Sequence, residues 1–506
     1  MVEHYLDRLA RTINENWDKP ALTDFYLTED GSAQDTSRGN HYTYGEMYAE
    51  ILRLGEVFAA LGLKQGDHIA ICGANSAHWA IAYLAIAAYQ GVVVTVLHSQ
   101  ATEDIAHQID FSDAKALFTD EDLWEELKSQ SLPQIKHVID LADWYILHGE
   151  DIQISNIKSK ITNRDCHFST GEINDLAMIC FTSGSTGVSK GVMLSYRSIS
   201  NNVSHFVKSY LPVSQDNAVY MSFLPYGHVF GLLCDFLTQI NIGKSINLIS
   251  PADAPRIEEI LIFLKPYVLT SSPMVIMKLF KRHGIEFFKS LSQFCGLLAL
   301  GGSLIPEEIE YIHMECKIPL FIGYGTSETG PMISGGGENI LKYHRPNSCD
   351  RAVQGMSVRI ASNGEILVKG ENVMLGYYKD SEATARKIDK DGWLHTGDKG
   401  HLDEDGYLYV EGRLEQDMIV LPNGENIHPE DIERKINALP EVKESIVLAR
   451  DGKLVAIVVA DTDIRRHVLR TINPELPLYS QLYDVEITDV PLPKTEKQTI
   501  KRYLYK

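Results

Sequence analysis

The run MICFTSGSTGVSKGVMLSYRSI, residues 178–199, carries the residue types that can grip a polyanion. Thr182, Ser183, Gly184, Ser185, Thr186 and Gly187 place hydroxyls among glycines, so backbone N–H and side-chain O–H groups can turn together onto phosphate oxygens. Lys190 adds a point charge near the end of the loop. Gly191 follows it, where a Walker A loop would carry the Ser or Thr that holds Mg2+. The segment is thus a phosphate cradle of another kind, or a plain Gly/Ser surface loop. FLPYGHVFG (223–231) sets His228 among aromatics and glycines, a core histidine being the alternative. IGYGTSETG (322–330) leaves a strand and presents Tyr324, Gly325, Thr326, Ser327 and Glu328 on a tight turn. In α/β sheets such turns hold ligands: an aromatic ring can stack on a purine, and a carboxylate can hold Mg2+ bridging phosphates. GWLHTGDKG (392–400) offers Asp398, able to accept both hydroxyls of a ribose, and Arg413 could reach the same sugar or a phosphate. Taken singly, these last two are a turn aspartate and a surface arginine.

The elements that must position these groups are legible in the periodicity. Residues 178–181 form an apolar strand before the loop, and an amphipathic segment starts near Ser195 after it. Thr43 to Glu46 has capping-box spacing, and Met47, Ile51, Leu54, Phe58 and Leu61 then recur every three or four residues until Gly62. A strand at 68–72, a cap at Asn75-Ser76, a helix and a further strand complete a βαβ unit with a parallel sheet. The pattern recurs with helices at 103–109, 257–265 and 306–314 and strands at 116–119, 268–271 and 320–323. From about Asp350 the texture changes to short strands, with hairpin signals at Asn363-Gly364 and Asp405-Gly406. After Arg413 a small α+β unit restarts: a helix at 431–439, strands at 445–449 and 454–460 around Asp451-Gly452, and a helix near 464–472.

At 506 residues the chain is long enough for more than one domain, and its net charge of −21 argues against a general nucleic-acid or anionic-membrane surface. Any phosphate ligand must be held by local groups. The seven cysteines show no CxxC pair and read as reduced, buried thiols of a cytoplasmic protein; the N-terminus carries no signal-peptide core. Residues 79–97 run without a charge, yet Gln90-Gly91 splits them into a buried helix and a β-branched strand, so no transmembrane segment is expected.

In this order the segments resemble the AMP-forming adenylating enzymes: acyl- and aryl-CoA synthetases, luciferases and peptide-synthetase adenylation domains. The phosphate loop, YGTSE, DGWLHTGD…GYLYVEGR and GENIHPEDIE carry the resemblance, which runs from about Tyr42 onward. NVMLGYYKDSEAT and IKRYLYK are most similar to the long-chain fatty acyl-CoA synthetases. The resemblance implies an α/β fold: a large N-terminal domain of parallel α/β sheets with a small β-rich subdomain (1–415), a hinge at Gln416-Asp417, and a small mobile α+β domain (418–506). It implies ATP, Mg2+ and CoA, and a carboxylic acid substrate, a medium- or long-chain fatty acid. By the same resemblance, residues 182–187 and Lys190 would hold the β- and γ-phosphates, and Tyr324 would flank the adenine with Gly302 and Ser303 along its edge. Gly325, Thr326 and Ser327 would meet the α-phosphate region, Glu328 the Mg2+, Asp398 and Arg413 the ribose. His228 would sit where the acyl pocket meets the thiol tunnel, walled by residues 231–237 and 298–302, and Gly424 would lie on the loop used in thioester formation.

Two departures stand out. One residue is added between Arg413 and the hinge aspartate, and Gln416 replaces the usual lysine before it. In the tail, PKTEKQTIKR carries Thr499 where such enzymes place the lysine that bridges carboxylate and α-phosphate. Lys497, which shares a strand face with Thr499, is the first candidate to replace it. Three readings remain open: transfer of the acyl group to CoA, transfer to the phosphopantetheine of a carrier protein, or a nucleotide-binding regulatory protein that has lost adenylation.

Overall fold

A computed structural model describes residues 2–28, 34–35, 38–150, 152–157, 164–182, 189–216, 218–302, 307–336, 345–414, 419–420, 426–427, 429–450, 453–476, 480–494 and 500–505. The chain divides into two compact units. The first holds Met1–Gly184, Ser189–Thr396 and Gly400–Val410; the second includes Gly397–Lys399 and Glu411–Lys506. The expected hinge at Gln416-Asp417 lies outside the described residues.

The first unit is built on two eight-stranded sheets. In one large sheet the central strands Leu320–Gly325, Leu297–Gly301, Val268–Ser271, Tyr220–Ser222, Ile246–Ile249 and Pro20–Phe25 run parallel. Antiparallel strands Met332–Ser334 and His41–Thr43 close its edges. In the other, Leu176–Thr182, Val92–Thr95, His68–Cys72, Ala116–Thr119 and His137–Asp140 run parallel. Lys190–Ser195, Gly376–Tyr377 and Ile146–His148 add antiparallel partners. Parallel strands covered on both faces demand unbroken apolar runs, which is why HIAIC and VVVT read as they do.

The helices follow their signals. Tyr44–Ala60 opens on a complete capping box, Thr43 Oγ1 accepting from Glu46 N at 3.2 Å and Glu46 accepting from Thr43 N at 2.8 Å. It stops where Gly62 takes φ +71°. Ala77–Ala88 is buried through Ala87, and with Val92–Thr95 it absorbs the uncharged run; Gln90, at φ +63°, makes the break. No described helix is long and apolar enough to cross a membrane. The expected Asn75-Ser76 cap resolves onto Ser76 alone, whose Oγ accepts from Trp79 N at 3.1 Å.

The small four-stranded sheet, Met356–Ile360, Glu365–Gly370, Leu394–Leu402 and Leu408–Arg413, is the β-rich subdomain. In the second unit Glu444–Arg450 and Lys453–Val459 pair antiparallel, and Leu482–Thr488 joins in parallel. Helices Pro429–Asn437 and Arg465–Ile472 accompany this sheet, and Ile436, Val447, Val458 and Val468 share its core. The strand Leu482–Thr488 escaped the sequence reading because YDVEIT offers a clean alternation only over its second half.

Candidate active site

The phosphate-loop segment folds as a hairpin. Strand Leu176–Thr182 and strand Lys190–Ser195 pair antiparallel, with Thr182 opposite Lys190. Ser183, Gly184, Ser185, Thr186 and Gly187 lie outside the described residues. Lys190 is the first residue of the returning strand, and Gly191 pairs with Phe181. The lysine therefore stands on a sheet. Its Nζ lies 5.2 Å from the ring centroid of Tyr377, over the ring.

Tyr377 belongs to strand Gly376–Tyr377, which pairs on Lys190–Ser195 with Tyr377 opposite Val192. Its hydroxyl donates to Glu328 Oε1 at 2.8 Å. One ring thus links the loop lysine to the carboxylate of the YGTSET turn. A single carboxylate suits a cation that takes most of its ligands from phosphates and water, which is how Mg2+ binds. Among the described residues no cluster of three or more His, Cys, Asp or Glu forms a metal cage. The donor set fits Mg2+ carried in with a nucleotide.

The turn holding Glu328 is fastened from below. Strand Leu320–Gly325 runs into a 3-10 turn, Ser327–Thr329, and Thr326 N donates to Thr329 Oγ1 at 3.1 Å. Helix Tyr196–Tyr210, capped by Ser195, follows directly from the hairpin, and its buried polar residues include Ser198, Asn201 and Asn202. Asn202 Nδ2 donates to Thr329 O at 3.2 Å, and its Oδ1 accepts from Met332 N at 3.0 Å. Ser198 Oγ donates to Asn372 O at 2.9 Å and Asn201 Nδ2 to Asn372 Oδ1 at 2.8 Å, while Asn372 Nδ2 reaches Met332 O at 2.7 Å. Such a satisfied buried network specifies one arrangement of hairpin, turn and strand Gly376–Tyr377. Against this, Thr326 Oγ1 is buried and has no hydrogen-bond partner among the described residues. An orphaned hydroxyl beside Glu328 is what an absent phosphate oxygen would satisfy.

Tyr324 is 1% exposed, so the ring face that would stack on adenine is covered in this structure. Gly302 follows strand Leu297–Gly301 and its N–H donates to Gly323 O at 3.0 Å; Ser303 lies outside the described residues. His228 sits in the loop after Tyr220–Ser222, its Nδ1 accepting from Phe230 N at 3.2 Å. That loop is held by residues for which the sequence analysis predicts no such role. Asp235, in the π-helical turn Gly231–Leu237, accepts from Ser222 Oγ at 2.7 Å, Phe223 N at 3.1 Å and Leu224 N at 3.3 Å. Complete burial lifts its carboxyl to about 7, against the pull of those hydrogen bonds. Asn75 grips the same loop, donating to Leu224 O at 2.8 Å and accepting from Tyr226 N at 3.0 Å.

Asp398 is buried on strand Leu394–Leu402, and Arg413 ends strand Leu408–Arg413; both belong to the second unit. Gly424 and Lys497 lie outside the described residues. The first unit therefore gathers Lys190, Tyr377, Glu328 and Thr326. Of these Tyr377 was not singled out in the sequence. The only signal was its place in a segment of the family resemblance.

The family model described as AMP-binding enzyme matches residues 9–378. The 2-succinylbenzoate–CoA ligase of Oceanobacillus iheyensis is 29% identical, covering 83% of this chain and 83% of its own. The 4-coumarate–CoA ligase 4 of Arabidopsis thaliana is 26% identical over 82% of this chain and 76% of its own. ATP-bound MatB from Rhodopseudomonas palustris superposes with a TM-score of 0.81 at 23% identity, covering 99% and 98% of the two chains, a likeness of fold. With nearly three quarters of its length matched by that one model, the chain belongs to the AMP-binding enzyme family and is an acid–thiol ligase.

Proposed function

We propose that the chain joins a carboxylic acid, foremost a medium- or long-chain fatty acid, to CoA by way of an acyl-adenylate. A carboxylate is a poor electrophile because its leaving group would be oxide. Attack by the acid's oxygen on the α-phosphorus of ATP breaks the bond to pyrophosphate and gives the acyl group a competent leaving group, AMP. The CoA sulfur then attacks the acyl carbon and AMP departs. Both steps develop charge on oxygen, so the enzyme's contribution is placement and electrostatic stabilisation.

The observation that carries the reading is the set Lys190, Tyr377, Glu328 and the unpartnered Thr326 Oγ1, side by side in one unit. Lys190 meets the β- and γ-phosphates beside residues 182–187, and Thr326 with Gly325 and Ser327 meets the α-phosphate region. Glu328 takes Mg2+, which when bound neutralises phosphate charge and orients the leaving pyrophosphate. Tyr324, Gly302 and Ser303 take the adenine, Asp398 and Arg413 the ribose. His228 stands at the entry of the thiol, on the loop that Asp235 and Asn75 hold. Gly424 and Lys497 act from the C-terminal domain, 418–506, which turns about Gln416-Asp417 between the two steps.

The acyl preference rests on composition. The proposed walls, 231–237 and 298–302, contain no basic residue that could meet a second carboxylate, and their one charged residue, Asp235, is buried. The test is AMP formation from ATP over a panel of acids from acetate to palmitate and benzoate, with and without CoA. Release of AMP only with aryl acids would overturn the fatty-acid assignment, and release only with a carrier protein would replace CoA as acceptor. Thr499 supports one second reading, a nucleotide-binding protein without adenylation. It requires ATP binding with no carboxylate-dependent pyrophosphate exchange.

A further inference from the structure

Tyr377 is held on every side that matters to its aim. Its strand is pinned to the hairpin, with Leu375 N donating to Met193 O at 2.8 Å and Tyr378 N to Gly191 O at 2.7 Å. Its own N–H donates to Thr384 Oγ1 at 2.8 Å. The strand alternation sends Tyr378 to the opposite face, where its hydroxyl donates to Asp113 Oδ2 at 2.7 Å. That leaves the ring of Tyr377, 6% exposed, beneath the Lys190 ammonium and its hydroxyl on Glu328.

Each contact acts on a different group. The ring face attracts the ammonium and limits where it can swing, so a long, flexible side chain presents its charge at one place. The phenol hydrogen fixes one oxygen of Glu328, which orients the carboxylate. We propose that Tyr377 is a positioning residue that sets the spacing between Lys190 and Glu328, and thereby the fit of a metal–triphosphate complex as one unit. This inference rests on the roles given above to Lys190 and Glu328.

The two contacts can be separated chemically. Tyr377→Phe keeps the ring under Lys190 and deletes the hydrogen bond to Glu328. Tyr377→Leu deletes both. Tyr378→Phe removes a comparable hydrogen bond on the opposite face and serves as the control. Calorimetric titration with ATP, in Mg2+ and in EDTA, reads binding apart from turnover; the Mg2+ midpoint of carboxylate-dependent pyrophosphate exchange reads catalysis. Tyr377→Phe should weaken MgATP binding and raise the Mg2+ midpoint by roughly tenfold, the loss of one hydrogen bond to a charged group. Its affinity for metal-free ATP should match the wild type. Tyr377→Leu should also weaken metal-free ATP by about two- to fivefold. Tyr378→Phe should change none of these. If Tyr377→Phe behaves like Tyr378→Phe, or loses metal-free ATP as strongly as MgATP, the positioning role is wrong. Glu328→Gln separates the premises: a wild-type Mg2+ midpoint there would overturn the role of Glu328 itself, and with it the ground for this proposal.

Discussion

Thr326→Val should stabilise the ligand-free protein while impairing the enzyme. Thr326 has extended backbone, φ −134° and ψ 166°, which a second β-branched residue adopts equally well. Its N–H keeps its bond to Thr329 Oγ1 in the variant. Only the buried, unpartnered Oγ1 is exchanged for a methyl of similar volume. An unpaired buried polar group costs about 1–3 kcal/mol, and that amount is returned to the ligand-free fold. At ~2–4 °C per kcal/mol for a large domain, the melting temperature should rise by several degrees. Nucleotide binding should move the other way. A phosphate oxygen that loses a hydroxyl donor forfeits a charge-assisted hydrogen bond of about 1.5–3 kcal/mol, a roughly ten- to hundredfold weakening. Because bound ligand raises stability by mass action, saturating MgATP should then lift the variant's melting temperature less than the wild type's. Thermal melts with and without MgATP, paired with pyrophosphate exchange, measure both arms. A lower ligand-free melting temperature with an unchanged MgATP increment would show that the hydroxyl is structural and that the phosphate assignment is mistaken.

Lys190→Ala should slow pyrophosphate exchange by the loss of one preorganised electrostatic donor, about 2.7–4 kcal/mol, and exchange at the wild-type rate would remove Lys190 from the phosphates. Gly325→Ala should disrupt the site through the backbone: an added Cβ would lie 1.6 Å from Pro331 O and 3.1 Å from Ile333 N, opposite the Gly325–Met332 pairing. Its expected cost is roughly the 1–3 kcal/mol of overpacking or more, seen as a lowered melting temperature with lost exchange; a wild-type melt would contradict the close approach. Asp235→Asn should change how stability depends on pH. The folded carboxyl titrates at about 7 and the unfolded one near 4, so the folded state holds the extra proton between them. That contribution is fully present below pH ~4 and is lost as pH rises through 7, to a total of about 4 kcal/mol at ~1.4 kcal/mol per unit. His205, pushed down to about 4 by burial, acts in the opposite sense over the same range, so the readout is the wild-type-minus-variant difference in denaturant unfolding. A difference that stays flat from pH 4 to 7 would mean the carboxyl titrates normally.

Much of this protein is written locally. The capping box at Thr43 and Glu46 and the apolar strands HIAIC and VVVT are short-range patterns, and the structure places the corresponding elements within a residue or two. Such signals survive in one dimension because capping, strand alternation and helix periodicity depend on neighbours a few residues apart. The functional motifs share this property, since each is a short run of neighbouring residues. Their mutual arrangement is not. Tyr377 meets Glu328 across 49 residues, and Asn202 holds Thr329 across 127, contacts that exist only once two sheet edges and a helix have packed. The fate of Asn75 makes the same point: its sequence position suggested a helix cap, and the packed structure turned it onto the His228 loop 149 residues away. The amino-acid order by itself determined which chemistry the chain could perform, because residue types and local turns are encoded residue by residue. Only the tertiary structure decided which lysine, which carboxylate and which ring share a site, because burial and hydrogen-bond satisfaction are settled between elements and not within them.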